Sequence, residues 1–126
     1  MSKCLVIEDS ERVREVLSDI VGKLGLDVET ASSAAEGLET IAVDEPDVIL
    51  LDWDLPKLGA LDLLAGLADR GASRRPAVIL LATENEPKQF ALARAAGASH
   101  YVLKPYDLDT IAGALQGCGF EVKRAA

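Results

Sequence analysis

Two apolar runs, Val48-Ile49-Leu50-Leu51 and Ala77-Val78-Ile79-Leu80-Leu81-Ala82, constrain this chain more than any other feature. Neither run alternates with polar residues, so a strand made from it must be covered on both faces. That is the situation of the central strands of a parallel sheet with helices on either side. The first run has a second peculiarity. The strand predicted over Asp47–Leu51 runs straight into Asp52-Trp53-Asp54-Leu55-Pro56. An ionised carboxylate at the end of a buried strand has to be paired, bound to metal or engaged in chemistry. Ligands of open α/β sheets bind at those carboxyl ends. Asp52 is therefore expected at the floor of a site.

The remaining sequence supplies the covering helices. Lys3–Ile7 reads as a first strand ending in Glu8-Asp9, and Ser10 is a good N-cap for a helix carrying Val13, Val16, Leu17, Ile20, Val21 and Leu24. Gly25 is placed to close it. Asp27–Ala31 reads as a second strand, and Ser33-Ala34-Ala35-Glu36 as a capping box opening a helix that Glu45-Pro46 stops. A helix is predicted over Leu58–Arg70, a polar loop over 71–76 and a fourth strand over Ala77–Ala82, ending in Thr83. Pro87 suits the first turn of a helix running to Ala96 with Gly97 as its stop. Ser99–Leu103 reads as a fifth strand ending in Lys104-Pro105, and Asp107 as the cap of a last helix through Leu108, Ile111, Ala112 and Leu115. Residues 117–126 form a short tail that no pattern assigns.

Strands alternating with helices imply right-handed βαβ units and a parallel sheet. The expected fold is α/β: a (βα)5, flavodoxin-like, doubly wound five-stranded parallel sheet with helices on both faces. Its common strand order at this size is 2-1-3-4-5. A length of 126 residues without linker or repeat predicts one domain over 1–126. Aromatic residues make up only 4%, so the core must be aliphatic. A net charge of −8 argues against nucleic acid as a direct partner, because phosphate binding needs a surplus of Lys and Arg. No apolar run approaches a membrane span, and the N-terminus lacks a signal-peptide profile. Cys4 and Cys118 have no metal or redox spacing and fit a reducing cytoplasm.

In the expected strand order, Asp9, Asp52, Thr83 and Lys104 gather along one sheet edge. Three carboxylates in one crevice repel, each pair at about 4 Å by on the order of 4 kcal/mol at an effective dielectric near 20. Lys104 offsets one charge, and the remainder calls for a cation. Hard oxygen ligands with room for water and phosphate suit Mg²⁺. His100 is the only histidine, so no zinc cluster is available, and it reads as a surface residue. A carboxylate beside Mg²⁺, an ammonium and a hydroxyl is a plausible nucleophile toward phosphorus.

At these residues the chain resembles the receiver domains of bacterial two-component response regulators, over essentially all of residues 3–116. The resemblance implies a stand-alone regulator, not an enzyme beyond its own phosphorylation and dephosphorylation. Asp52 is then the phosphoacceptor. Asp9 is a direct Mg²⁺ ligand, Glu8 acts through water, and Asp52 and the backbone carbonyl of Asp54 complete the protein's share. Thr83 corresponds to the switch hydroxyl, Tyr101 to the switch aromatic, and Lys104-Pro105 to the family's Lys-Pro pair. The implied partners are a sensor histidine kinase or a histidine phosphotransfer protein, and a downstream protein target. No nucleic-acid or membrane partner is implied, since the tail is too short for a DNA-binding module. Donor docking is expected on Val13, Arg14, Leu17 and Pro105, although Val13 and Leu17 also read as core.

Two departures stand out. The family's Asp-Gly pair after the proline is replaced by Gly59-Ala60, which puts the turn after the third strand in question. Asp54 adds an acid beside the site, and an Asp54→Ala protein is expected to lose phosphate at a different rate. Two rival readings remain. A haloacid-dehalogenase-type phosphatase also has a buried strand ending in Asp-x-Asp, but its second acid pair lies downstream, where this chain has none. A receiver-like interaction module that no longer uses phosphate would keep the fold without labelling at Asp52. A flavodoxin fails for lack of a hydroxyl- and Gly-rich loop after the first strand.

Overall fold

The computed structural model describes residues 2–56, 59–69, 76–104 and 106–123. Ten elements alternate along the chain: β1 (Lys3–Ile7), α1 (Glu11–Lys23), β2 (Asp27–Ala31), α2 (Ala34–Val43), β3 (Val48–Asp52), α3 (Gly59–Asp69), β4 (Ala77–Ala82), α4 (Pro87–Ala95), β5 (His100–Leu103) and α5 (Leu108–Gly117). All neighbouring strands are parallel, in the order β2-β1-β3-β4-β5. The expected doubly wound α/β sheet is what the chain forms.

Strand periodicity divides the core in two. Successive strand side chains point to opposite faces. Leu5, Ile7, Ile49, Leu51, Val78 and Leu80 therefore meet Ile41 of α2, Leu63, Leu64 and Leu67 of α3 and Ala93 of α4. Their alternates Cys4, Val6, Val48, Leu50, Ile79, Leu81 and Val102 meet Leu17 and Val21 of α1 and Ile111, Ala112 and Leu115 of α5. Every residue of β3 is buried, as its apolar run requires.

The helix ends follow local chemistry. The Ser10 hydroxyl accepts the Val13 N–H at 3.3 Å, and Gly25 follows α1 at φ 93°, a conformation easy only for glycine. Asp107 and Thr110 complete a reciprocal capping box on α5. The box expected on α2 is only half formed. Ser33 accepts the Glu36 N–H at 3.1 Å, but the Glu36 carboxylate accepts from the Ser32 hydroxyl at 2.7 Å.

Some boundaries move. β3 begins at Val48 instead of Asp47 and includes Asp52, which pairs with Leu81 of β4. β5 starts at His100 instead of Ser99. The expected ends of α3 at Leu58 and Arg70, like Pro105, lie outside the described residues. Gly59 sits at φ 69°, so the displaced glycine still supplies a left-handed residue at the entrance to α3. The unassigned tail also acquires a place. Gly119 turns at φ 91°, Phe120 and Val122 pack on the α1/α5 side of the core, and the Lys123 N–H donates to the Leu24 carbonyl at 2.7 Å.

Candidate functional site: an acidic cluster at the carboxyl edge of the sheet

The register of three strand pairs builds the site. Ile7 lies opposite Leu51, so the next residues, Glu8 and Asp52, stand level at the ends of β1 and β3. Asp52 lies opposite Leu81, which places Thr83 just beyond it on the neighbouring strand. Ala82 lies opposite Leu103, so Lys104 follows at the height of Thr83. The chain leaves each strand under backbone control. The Glu8 N–H donates to the Ala31 carbonyl at 3.1 Å, Trp53 to Leu81 at 2.9 Å, and Lys104 to Ala82 at 3.0 Å.

Carboxylate oxygens of Glu8, Asp9 and Asp52 all lie within 4.8 Å of one another. Among the described residues, Glu8 and Asp52 are the buried acids, while Asp9 is exposed. Each buried carboxylate takes a local backbone donor. The Ser10 N–H donates to Glu8 Oε1 at 3.1 Å and the Asp54 N–H to Asp52 Oδ1 at 3.0 Å. These bonds favour the charged forms, but burial outweighs them. Burial, reinforced by the charge of Asp52, pushes Glu8 up to about 8. Asp52 is likewise raised, first by burial and then by the charges of Asp54 and Asp9. The cluster therefore favours a proton or a cation over three bare charges. The donors are all hard oxygens and Asp9 opens to solvent, so the residues fit a small divalent cation such as Mg²⁺.

Among the described residues, Lys104 forms no direct ion pair with Glu8, Asp9 or Asp52. Its ammonium lies over the Tyr106 ring, 5.8 Å from the centroid. Tyr106 is half-buried, and its phenol is raised by burial and by the charges of Asp52, Glu8 and Asp54. Sequence reading missed this aromatic because a residue three positions past the end of β5 carries no periodic signal.

Thr83 and the Asp54 side chain meet directly. The Thr83 hydroxyl donates to Asp54 Oδ2 at 3.2 Å. Trp53, between the two acids, donates its indole N–H to Gln89 Oε1 of α4 at 2.6 Å. Tyr101 is half-buried and packs on Phe90 with ring centroids 3.9 Å apart. Spacing in sequence gives no hint of either side-chain bond, which joins segments 29 and 36 residues apart.

The docking residues are placed unequally. Val13 is half-buried against the core. Leu17 is fully buried and offers no surface to a partner, a correction that follows from its position on the inner stripe of α1. Arg14 turns toward the site, its Nη1 donating to the Glu8 carbonyl at 2.9 Å. Pro105 falls outside the described residues.

A family model described as the response regulator receiver domain matches residues 4–116, and the chain belongs to that family. It is a receiver domain of two-component signalling. The transcriptional regulatory protein KdpE of Mycobacterium tuberculosis is 38% identical over 110 residues, 86% of this chain but 47% of that protein. The chain thus spans about half the length of this relative. Protein PilG of Pseudomonas aeruginosa is 29% identical over 114 residues, covering 90% of this chain and 84% of PilG. The chemotaxis response regulator CheY4 of Vibrio cholerae superposes with a TM-score of 0.86 at 27% identity, covering 92% of this chain and 97% of that one. Receiver domains are in general signalling modules, not enzymes acting on a separate substrate, and they work with histidine kinases and downstream targets. No helix among the described residues is long and apolar enough to cross a membrane.

Proposed function

We propose that this chain works as a phosphorylation switch in which Asp52 accepts a phosphoryl group from a phosphohistidine. The observation that carries the reading is the convergence of Glu8, Asp9 and Asp52 within 4.8 Å at the ends of adjacent strands. A carboxylate oxygen of Asp52 attacks phosphorus, the P–O bond forms as the P–N bond breaks, and the electron pair returns to the donor imidazole. Asp9 and Asp52 would hold Mg²⁺ directly, the Asp54 carbonyl would complete the protein's share, and Glu8 would act through water. Bound there, the cation neutralises the charge of the cluster and of the incoming phosphoryl oxygens. The chain's own residues supply position. The Asp54 N–H fixes one Asp52 oxygen and leaves the other to react. Lys104, held over Tyr106, can swing its ammonium onto the new phosphoryl group. Hydrolysis of the acyl phosphate, with water attacking phosphorus, returns Asp52 and inorganic phosphate.

Signalling then follows from Thr83 turning to the phosphoryl group and Tyr101 shifting inward beside β4. Moving a two-state balance from 1:99 to 99:1 takes about 5.5 kcal/mol of differential stabilisation. The output is contact with a downstream protein, with no nucleic acid or membrane involved directly, as the charge of −8 favours. The donor is a sensor histidine kinase or a histidine phosphotransfer protein, docking over the exposed part of α1. The role is proposed for a single receiver domain over residues 1–126 acting in the cytoplasm.

The test is phosphotransfer from purified kinases and phosphotransfer proteins of the host, with and without Mg²⁺. Mg²⁺-dependent, stoichiometric labelling that disappears in Asp52→Asn is expected. Labelling that survives the substitution moves the site elsewhere. Absence of labelling with every donor favours an interaction module that no longer uses phosphate, and continuous turnover of a phosphate ester favours a phosphatase.

A further inference from the structure

The turn after β3 grips the segment after β4 at two points. The Thr83 hydroxyl donates to Asp54 Oδ2 at 3.2 Å, and the Trp53 indole donates to Gln89 Oε1 at 2.6 Å. Trp53 and Asp54 directly follow Asp52, while Thr83 and Gln89 frame the passage from β4 into α4. Gln89 immediately precedes Phe90, whose ring packs on Tyr101 with centroids 3.9 Å apart. Trp53, Gln89, Phe90 and Tyr101 also line one small surface cleft together. The acidic cluster is thus joined to α4 and β5 through the Asp54 N–H on Asp52, the two side-chain bonds, the chain step from Gln89 to Phe90 and the Phe90–Tyr101 ring contact.

We propose that these two bonds form a latch that holds the resting arrangement, and that Gln89 is a positioning residue setting the balance between resting and activated forms. The proposal rests on the reading of Asp52 as the phosphoryl acceptor. At Thr83 the constraint is proton count. A hydroxyl has a single proton to donate. In the resting form it goes to Asp54, and a phosphoryl group on Asp52 competes for the same proton. Activation must therefore break the Thr83–Asp54 bond, and Asp54 opposes activation by the strength of that bond. The bond is charge-assisted when Asp54 is ionised, so its loss is felt more than that of a neutral pair. At the second point, Gln89 ties the first turn of α4 to the residue beside Asp52. A shift of α4 or a turn of Tyr101 that moves Phe90 strains this tie. Trp53 and Gln89 touch neither the carboxylate oxygens of the cluster nor the reacting phosphorus, so the tie acts on the conformational balance alone.

The experiment uses the full, unphosphorylated chain. Trp53 is the only tryptophan, so its emission reports the second point of the latch without a label. Emission and hydrogen exchange of the α4 amides are compared in the parent, Gln89→Ala, Gln89→Glu and Asp54→Ala. Gln89 is exposed, so its variants are expected to fold. For Gln89→Ala, a changed emission maximum and roughly 3- to 10-fold faster exchange in α4 are expected, the scale of one net hydrogen bond. Gln89→Glu keeps an acceptor and should restore both toward the parent. Asp54→Ala should speed exchange around Thr83 by a similar factor. Parent-like emission and exchange in Gln89→Ala overturn the latch. An equal change in Gln89→Ala and Gln89→Glu also overturns it, because the acceptor would then be irrelevant. Labelling of Asp52 by a small acyl phosphate with Mg²⁺ is run on the same samples. Failure there in the parent counts against the acceptor reading, whereas labelling with an unaltered Gln89→Ala counts against the latch only.

Discussion

Glu8 concentrates the physics of the site in one residue. Its carboxyl is buried at the end of β1, and its proton affinity lies well above the ordinary value of 4.5, at about 8. A carboxyl that binds its proton more tightly folded than unfolded makes the native state the better proton binder. Stability then falls as pH rises between the two values, because the charged form is the one that burial penalises. Asp52 is shifted in the same direction and adds to the effect. The cation-free protein is accordingly expected to melt at progressively lower temperature from about pH 5 to pH 8, and millimolar Mg²⁺ should flatten the decline. Glu8→Gln should flatten it without Mg²⁺. Calorimetric melting in chelator and in Mg²⁺ across that range checks both, and a parent whose melting point rises toward pH 8 in chelator would refute the assignment. Sequence alone could single out Glu8, Asp9, Asp52, Thr83 and Lys104, because a polar residue at the end of an apolar run is anomalous. It could not find the partners of Asp54 and Trp53. Those depend on where a turn aims its side chains, and no periodic pattern encodes that. The same limit explains Lys104, whose position was legible and whose resting contact with Tyr106 was not.

Elements were legible where burial forces a period. The strands show because both faces are covered, and the helices because one stripe is. Boundaries were less so, since the last strand residue is decided by a neighbour's hydrogen bonds, and Asp52 joins β3 through its pairing with Leu81. A different constraint, invisible to periodicity, acts at Gly37 in α2. A Cβ placed there would stand 2.6 Å from Ile7 Cδ1 and 3.3 Å from Leu63 Cδ1. Glycine costs a helix about 1 kcal/mol relative to alanine, so its presence reflects space between α2 and the sheet. Ile7 is fully buried and immediately precedes Glu8, so its side chain has to repack inside a closed core beside the end of β1. Gly37→Ala is expected to lose roughly 1–3 kcal/mol to overpacking, partly offset by the gain in helix propensity. Gly37→Val should lose more, and it should also weaken Mg²⁺ binding read through Trp53 emission. Gly113 is the control, since a Cβ added there would meet nothing within 4 Å, and Gly113→Ala should leave both readouts intact or raise stability. If Gly37→Ala behaved as Gly113→Ala does, the close approach of α2 to β1 would not matter energetically.

At the scale of the whole molecule, the two ends of the sheet have separate tasks. The carboxyl edge gathers acids and carries the strain of their burial. The opposite edge is closed by the segment after α5, which sequence patterning left unassigned because it holds too few apolar residues for either period. Phe120 and Val122 pack against the α1/α5 side of the core, and the Lys123 N–H reaches Leu24 at 2.7 Å. Lys123 also lies against Gly25, where its Cγ would be 3.0 Å from an added Cβ, so the left-handed glycine that ends α1 makes room for the strap as well. This closure adds apolar burial where β1 begins. The acids stand where β1 ends, about 16 Å away at the rise of an extended strand. Energetic effects of the strap should therefore be global and chemical effects absent. Phe120→Ala removes a half-buried ring, and a loss of about 1–3 kcal/mol follows from the area returned to water. Urea unfolding should register that loss. The affinity for Mg²⁺ and the rate of Asp52 labelling by a small phosphodonor should match the parent under conditions where both proteins are folded. A large fall in labelling rate with intact folding would mean that the two edges are coupled through the sheet, and that the strap belongs to the switch instead of the scaffold.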